Sequence, residues 1–173
     1  MAALRIEPAS LDDARAVAEI RVLAWKAAYR DIVSAAYLDS LSVASRETSW
    51  REAILRGEPE VLVARAGESI AGWLALGQSR DADVGPATGE VWALYVSPAR
   101  WSSGVGRQLW MHARRRLVVL GFHAVGLWVL AENSRARRFY EAAGFEPQLD
   151  SAKKFALGGN LVEEIRYVMP LVD

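Results

Sequence analysis

The stretch that most constrains the fold is EVWALYVSPARWSSGVG, residues 90–106. Six apolar residues rich in β-branched and aromatic types follow Glu90, which is typical of a strand, and Pro98 ends the strand because proline has no N–H to donate. Gly104 and Gly106 then open a helical pattern. Such a turn presents backbone N–H groups at the positive end of a helix dipole, where a phosphate can bind. The segment predicts a strand, an anion-binding turn and a helix; a plain helix entry without a ligand is the alternative.

Strand and helix patterns alternate along the rest of the chain. Apolar runs predict strands at residues 61–64, 70–76 and 125–130, and Gly67-Glu68 between the first two predicts an antiparallel hairpin. Helical patterns follow a capping box at residues 10–13, cover residues 37–55, and begin again at Gly104 and Asn133. Residues 78–89 predict a surface loop, and two further β-like stretches lie around Phe145 and over 161–169. At roughly 150 residues per domain, the 173 residues predict one mixed α/β domain.

Composition excludes several kinds of site. The chain has no Cys and two His, which rules out thiolate chemistry and argues against a metal centre or a Ser/His/Asp triad. The dinucleotide pattern G-x-G-x-x-G would need glycine where Leu109 stands, and the Gly-Lys-Ser/Thr of an NTP-binding loop is absent. The phosphate ligand of this turn is therefore neither a dinucleotide in that mode nor a nucleoside triphosphate.

The formal charges cancel, with 21 basic and 21 acidic side chains, but they are unevenly placed. Residues 100–138 carry eight basic side chains and one acidic one, whereas the segments before and after are net negative. A neutral chain lacks the electrostatic footprint of a nucleic-acid binder, so we expect no nucleic-acid partner. The basic block lies instead around the predicted phosphate site.

The chain also lacks the signals of export or of membrane insertion. Arg5 and Glu7 interrupt the N-terminal region where a signal peptide needs an apolar stretch, and the longest uncharged run is shorter than a membrane span. We expect a cytoplasmic protein without a membrane partner.

Two motifs together resemble the GCN5-related N-acetyltransferase (GNAT) superfamily. That family carries V-x-P-x-x-[QR]-x-x-G-x-G/A after a strand and N-x-x-A-x-x-x-Y-x-x-x-G-F after the next one. Here the first motif runs from Val96 to Gly106, and NSRARRFYEAAGF occupies residues 133–145. The resemblance implies a single GNAT domain at residues 4–172: a mixed, mostly antiparallel twisted sheet of six to seven strands, splayed at strand 90–96 and flanked by about four helices.

The resemblance implies acetyl-CoA as the cofactor. Its pyrophosphate would lie on the turn, its pantetheine arm along the splayed strand, and its 3′-phosphate near Arg100, Arg107 or Arg137. One departure is Trp101 where the family usually has Gln or Arg, followed by Ser102 and Ser103, whose hydroxyls could add two donors. The implied cofactor-binding residues are Leu94, Tyr95, Val96, Trp101, Ser102, Ser103, Gly104, Val105, Gly106, Arg107, Asn133, Arg137 and Tyr140. For Asn133, an ordinary helix N-cap is the alternative.

Two side chains are implied as catalytic. Tyr140 matches the family tyrosine that protonates the departing CoA thiolate, and a core tyrosine packed beside Phe139 is the alternative. Glu90 lies where some members keep a glutamate that deprotonates the amine through water, and a surface carboxylate at a strand edge is the alternative. A base is needed because an alkyl amine, with a pKa near 10.4, is mostly protonated at pH 7.

The acceptor is expected to be a primary amine of a small molecule or a protein. Trp25, Tyr29 and Trp92 could form an aromatic wall that attracts its cation, or simply belong to the core. The resemblance predicts an acetyl-CoA-dependent N-acetyltransferase, with a non-catalytic acyl-CoA-binding regulatory module as the alternative. Because dimers are common in the family, a homodimer is a further expectation.

Overall fold

A computed structural model describes residues 3–171 of the chain. In that part the chain forms one seven-stranded sheet and five α-helices, with short 3-10 turns at Leu11–Asp13 and Pro98–Arg100. The strands are β1 (Leu4–Pro8), β2 (Glu60–Ala66), β3 (Ser69–Gln78), β4 (Thr88–Val96), β5 (Ala124–Leu130), β6 (Glu146–Leu157) and β7 (Asn160–Pro170). The helices are α1 (Ala14–Ala28), α2 (Ala35–Asp39), α3 (Val43–Arg56), α4 (Val105–Val119) and α5 (Ser134–Ala142).

The sheet is antiparallel except at its centre. Its strand order is β1-β2-β3-β4-β5-β7-β6, and only β4 and β5 run parallel. Their pairing is limited to residues 88–90 against 124–126, so β4 separates from β5 over its remaining six residues. Register shifts at Ala75/Leu76 opposite β4 add a bulge there. The predicted mixed sheet with its splay at strand 90–96 is confirmed.

Each face of the sheet is covered by helices that bury an apolar stripe. On one face, α4 packs Leu109, Ala113 and Leu117 into a cluster with β-strand residues and Phe145. On the other face, α1 contributes Val17 and Ile20 to a cluster around Trp73 and Ala75, against which residues of α3 also pack. Burying a Leu, Ile or Val side chain contributes about 1.5–3 kcal/mol, so both helix layers are held mainly by this burial.

The structure differs from the sequence predictions in two elements. The helix predicted over 37–55 is two helices, α2 and α3, because the backbone leaves the helix after Ser40 and Ser42 caps a new one by accepting a bond from the Ser45 N–H. That break makes five helices rather than about four. The β-like stretch near Phe145 is the long strand β6, which pairs along most of β7.

The β6–β7 hairpin reaches across the sheet to the loop after α1. Ser34 Oγ donates to the Gly158 carbonyl at 2.8 Å, and Asn160 Nδ2 donates to the Ile32 carbonyl at 3.0 Å. Gly158 has φ +58°, and an added Cβ would lie 2.5 Å from Tyr37 Cγ, so this contact requires glycine. The hairpin and the α1–α2 loop together wall off the space above the splayed strands. The predicted domain end at residue 172 lies outside the described residues.

No helix within residues 3–171 is long and apolar enough to cross a membrane. The same described part of the chain holds no group of three or more His, Asp or Glu side chains placed to bind a metal ion.

Candidate active site

A cavity of about 740 Å³ opens where β4 separates from β5. Its wall includes backbone and side chains of β4, the turn before α4, the first turns of α5 and the end of α1. One end lies at the glycine turn and the other under the β6–β7 hairpin, where Phe155 and Leu157 contribute to the wall. A single cleft thus connects the predicted phosphate site with the aromatic side chains of α1.

The turn has the backbone conformation that the sequence predicted. Ser97 N–H donates to the Ala71 carbonyl at 2.9 Å, which ends β4, and Gly104 caps α4 with φ +86°. A Cβ on Gly106 would lie 3.3 Å from Phe139 Cε2, so glycine also allows α5 to pack closely. The first N–H groups of α4 have no partner within the helix, and residues 104–107 line the cavity, as an anion site requires.

Trp101 ties the turn to β4 and α5. Its Nε1 donates to the Val96 carbonyl at 2.9 Å, and the Arg135 guanidinium lies 4.0 Å from its ring centroid. Ser102 has φ +59°, a left-handed conformation that a non-glycine residue adopts at a cost. Ser103 Oγ donates to the Arg100 carbonyl at 2.6 Å. The hydroxyl proton of Ser103 is therefore used within the turn.

Four arginines line the cavity near this turn: Arg100, Arg107, Arg135 and Arg138. Arg137 does not line it, because its Nε donates to the Tyr167 hydroxyl at 2.9 Å and its Nη1 to the Ala131 carbonyl at 3.1 Å. Desolvation, followed by the charge of Arg138, lowers the pKa of Arg135. Of the three arginines predicted near the 3′-phosphate, Arg100 and Arg107 line the cavity, and α5 contributes Arg135 and Arg138 to it instead of Arg137.

Three phenols converge at the middle of the cavity. Burial raises the pKa of Tyr140 above its ordinary value, and the neighbouring Tyr95 raises it further. Burial likewise raises the pKa of Tyr29, with smaller contributions from Tyr95 and Tyr140, while a hydrogen bond with Asn133 opposes the shift. Trp25 Nε1 donates to the Tyr95 hydroxyl at 2.8 Å. Because their pKa values are raised, Tyr29 and Tyr140 are protonated at physiological pH.

Asn133 is the helix N-cap that the sequence analysis gave as the alternative, and because it also lines the cavity, its contact with the cofactor stays a prediction. Its Oδ1 accepts a bond from the Ala136 N–H at 3.2 Å, which caps α5. The same side chain bonds the Tyr29 phenol and lines the cavity.

Glu90 is buried, with 2% of its surface exposed, and is not among the residues that line the cavity. Its carboxylate accepts bonds from the Arg80 N–H at 2.8 Å and from Arg80 Nε at 3.2 Å, and Nη2 of the same arginine donates as well. Arg80 does line the cavity and stacks on Trp92, 4.2 Å from the ring centroid. Glu90 therefore reaches the cavity only through Arg80.

Comparison with known proteins decides the family. The profile described as "Acetyltransferase (GNAT) family" matches residues 25–145, more than half of the chain. The chain belongs to the GNAT acetyltransferase family. As a GNAT protein it is an acetyl-CoA-dependent acetyltransferase, and the resemblance found in the sequence is confirmed.

Curated relatives share part of the sequence of this GNAT protein. YuaI of Bacillus subtilis, an uncharacterized N-acetyltransferase, is 29% identical over 161 residues, which cover 92% of this chain and 89% of YuaI. A mycothiol acetyltransferase of Beutenbergia cavernae is 44% identical over 61 residues, which cover 35% of this chain and 20% of that protein.

Solved structures share the architecture at low sequence identity. PaiA N-acetyltransferase from Thermoplasma acidophilum, in complex with coenzyme A, superposes with a TM-score of 0.74 at 21% identity, covering 94% of this chain and 98% of PaiA. YncA from Salmonella typhimurium, with its cofactor acetyl-CoA, superposes with a TM-score of 0.76 at 21% identity, covering 99% and 95%.

The GNAT fold brings most of the predicted site residues to one cavity. Those that line it are Trp25, Tyr29, Trp92, Leu94, Tyr95, Val96, Trp101, Ser102, Gly104, Val105, Gly106, Arg107, Asn133 and Tyr140. Ser103, Arg137 and Glu90 are not among the lining residues, for the reasons given above. The lining residues that the sequence analysis missed include Arg80, Trp128, Arg135, Arg138, Phe155, Leu157 and Glu164. For Arg135 and Arg138, their spacing of three on a helix was an available signal. Trp128, Phe155, Leu157 and Glu164 come together only through strand pairing, and Arg80 lies in the β3–β4 loop.

Proposed function

We propose that this GNAT protein transfers acetyl from acetyl-CoA to a primary amine of a small molecule or a protein by direct attack. The observation that carries the proposal is the continuity of one cavity from the glycine turn, past the phenol of Tyr140, to an aromatic pocket beside α1. A donor bound at one end and an acceptor at the other would meet at the splay between β4 and β5. Holding two reactants in that geometry replaces a bimolecular encounter by an effectively intramolecular step.

The proposed cofactor pose follows the backbone. The pyrophosphate accepts N–H bonds from the residues between Trp101 and Arg107, and the pantetheine arm pairs with Leu94 and Val96, which have no β5 partner. The carbonyl of Val96 already accepts from Trp101, so the arm takes its bonds from the remaining groups of β4. The 3′-phosphate lies among Arg100, Arg107, Arg135 and Arg138 rather than at Arg137.

Tyr140 is proposed as the donor to the leaving thiolate. A thiol has an ordinary pKa near 8.5, whereas burial holds that of Tyr140 above 10, so complete proton transfer from the phenol is uphill. The phenol therefore stabilises the developing thiolate by a strong hydrogen bond. The attacking nitrogen loses one proton in the reaction, and an equivalent proton finally converts the thiolate of CoA to its thiol. A raised pKa is useful here because it keeps the phenol protonated whenever the amine is deprotonated.

Glu90 remains the predicted base, acting through water. Its buried carboxylate is next to Arg80, which borders the acceptor end, and this proximity supports a proton path along that side. The ion pair with Arg80 favours a second role, in which Glu90 fixes Arg80 over Trp92. Glu90→Gln separates the two: loss of a base steepens the pH dependence of kcat/KM, whereas loss of the ion pair lowers thermal stability and leaves the pH dependence unchanged.

Acetyl-CoA turnover against a panel of primary amines tests the function itself. We expect release of CoA that depends on an added amine and yields the N-acetyl product by mass spectrometry. Tight CoA binding without turnover on any amine would contradict the proposal and favour a non-catalytic acyl-CoA-binding module. The homodimer and the cytoplasmic location stay predictions from the sequence.

A further inference from the structure

The charged side chains of the cavity are unequally divided between its ends. Of the residues that line it within the described chain, five are arginines and one is acidic, Glu164. Four of the arginines surround the proposed phosphate site, whereas Arg80 and Glu164 lie toward the acceptor end. Arg80 is neutralised by the buried Glu90. Glu164 is therefore the one acidic group of the cavity wall that can meet a cationic acceptor.

Strand register places Glu164 level with the splay. In β5, Leu130 lies opposite Glu164 of β7, and four residues earlier Gly126 lies beside Glu90 of β4. Since strands rise about 3.3 Å per residue, Leu130 is at the height of Leu94, four residues after Glu90. Glu164 thus lies at the level of the β4 backbone proposed to hold the thioester arm.

An ammonium group of the protein lies against both Glu164 and Trp128, although Lys153, which carries it, is not among the residues that line the cavity. Lys153 of β6 is paired with Glu164 in register, and its Nζ lies 3.3 Å from Glu164 Oε1. The same Nζ lies 3.9 Å from the ring centroid of Trp128, which lines the cavity. A primary ammonium thus sits between an indole face and a carboxylate, which is the arrangement that recognises an alkylammonium ligand.

The neighbouring charges are fixed, but Lys153 is replaceable. Trp128 Nε1 donates to Asp81 at 3.1 Å, and Arg166, 5.5 Å from the same ring, is bound to Asp81 and Asp83. The Lys153 side chain is 55% exposed on a flexible stem, and an exposed ion pair contributes little to stability. A ligand ammonium could take its place at small cost.

We propose that Trp128 and Glu164 form the subsite for the acceptor's ammonium group, and that Lys153 pairs with these two residues until the acceptor displaces it. The inference rests on the proposed function and names its substrate class: an aliphatic primary amine that arrives as a cation and has no acidic group close to the amine, since such a group would meet Glu164. Lys153 then acts as an internal competitor, and its removal should strengthen acceptor binding.

Opposite effects of two variants test the subsite, with pentylamine as the probe because it matches the lysine side chain. Glu164→Gln should raise KM for pentylamine about tenfold or more, with a much smaller change in kcat. Lys153→Met, which keeps the stem, should lower that KM about threefold. Glu163→Gln and Lys154→Met, the adjacent register pair, serve as matched controls and should leave KM unchanged. A pair that is only structural would shift KM in the same direction in both Glu164→Gln and Lys153→Met, or in neither, and that result overturns the inference.

A binding measurement separates failure of the subsite from failure of the proposed function. Pentylamine should quench tryptophan fluorescence of the CoA complex, and Glu164→Gln or Trp128→Phe should abolish most of that change. 5-Aminopentanoate, which adds a distant carboxylate, should bind like pentylamine, whereas glycine should not bind. Quenching that depends on Glu164 without turnover of any amine would reject the enzyme but keep the subsite. Turnover of amines with a KM that Glu164→Gln does not change would keep the proposed enzyme activity and reject the subsite.

Discussion

The two ends of the cavity are built in different ways. The proposed cofactor end would take its donors from one contiguous turn, residues 101–107, and its recognition would depend on backbone N–H groups and glycine conformation. The acceptor end combines side chains from α1, the β3–β4 loop and four strands, and its charges are neutralised in pairs such as Arg80 with Glu90 and Lys153 with Glu164. Backbone recognition tolerates changes of side chain, as Trp101 illustrates. Recognition by paired side chains does not, so specificity should differ among relatives at the acceptor end.

Tyr140 lies between the two ends, and its replacement should have the largest effect. Tyr140→Phe removes the donor to the leaving thiolate, so kcat should fall about 10²–10³-fold while the Kd of CoA stays the same. Steady-state kinetics and calorimetry measure the two quantities. Tyr37→Phe, a tyrosine that packs against Gly158 outside the cavity, is the matched control. An unchanged kcat in Tyr140→Phe would remove this residue from the chemistry.

The pH dependence should reflect the acceptor amine rather than Tyr140. Because burial raises the pKa of Tyr140 well above its ordinary value near 10, the phenol stays protonated throughout the range in which the enzyme would be assayed. An amine with a pKa near 10.4 gains its free-base form about tenfold per unit between pH 7 and 9. We therefore expect kcat/KM to rise through this range without a descending limb. A fall below pH 9 that Tyr140→Phe abolishes would contradict the raised pKa.

Gly104 tests the cofactor end alone. Its φ of +86° costs a residue with a Cβ about 1–2 kcal/mol, so Gly104→Ala should distort the turn and raise the Kd of CoA about tenfold. The KM of the amine should change little, because the acceptor end does not depend on the turn. Gly85→Ala is the control, since a Cβ there meets nothing within 4 Å. If Gly104→Ala raised the Kd of CoA and the KM of the amine by the same factor, the cofactor end and the acceptor end of the cavity would not be independent.

The cofactor end could be predicted because its signals are local. Strand, proline, glycines and helix stand in sequence order from residue 90 to 120, and the N-x-x-A-x-x-x-Y motif follows within the next strand and helix. Arg137 was predicted near the 3′-phosphate, but its guanidinium bonds the Tyr167 hydroxyl and the Ala131 carbonyl, whereas Arg135 and Arg138 of the same helix line the cavity. Helical spacing places Arg135 and Arg138 on the same side of α5, but it does not predict whether that side faces the cavity.

The acceptor end could be predicted only in part. Trp25, Tyr29 and Trp92 have helical or strand spacing and do line the cavity. Trp128, Phe155 and Glu164 lie on three different strands, and their meeting depends on the β5-β7-β6 order and on the register shift between Gln148 and Lys153. Nothing in the local pattern of β6 specifies that shift. No local sequence pattern therefore predicts that Trp128, Phe155 and Glu164 meet at the acceptor end.

Arginine replacements at the turn should have a moderate effect. Arg135→Ala removes both a cavity charge and the contact with Trp101, and the preference for CoA over its 3′-dephospho form should shrink about threefold to fivefold. Arg115→Ala, an exposed arginine on α4, is the control. Calorimetry of the two ligands measures the ratio. If Arg137→Ala alone reduced the preference, the phosphate would lie on the opposite side of α5 from the cavity.

Two serines of the turn should give the smallest effects, in opposite directions. Ser102 has φ +59°, which costs about 1 kcal/mol or slightly more, whereas glycine adds about 0.5–1 kcal/mol of backbone entropy to the unfolded chain. Ser102→Gly should therefore raise the free energy of unfolding by a few tenths of a kcal/mol, or Tm by about 1 °C. Ser103→Gly relieves no positive φ and loses the bond from Ser103 Oγ to the Arg100 carbonyl, so it should lower Tm by about 2–4 °C. Both variants keep their N–H groups, so the Kd of CoA should stay within twofold of the wild type in each. If Ser102→Gly weakened CoA binding instead, the side chain rather than the backbone would be the ligand at this end, and the contrast between the two ends would not hold.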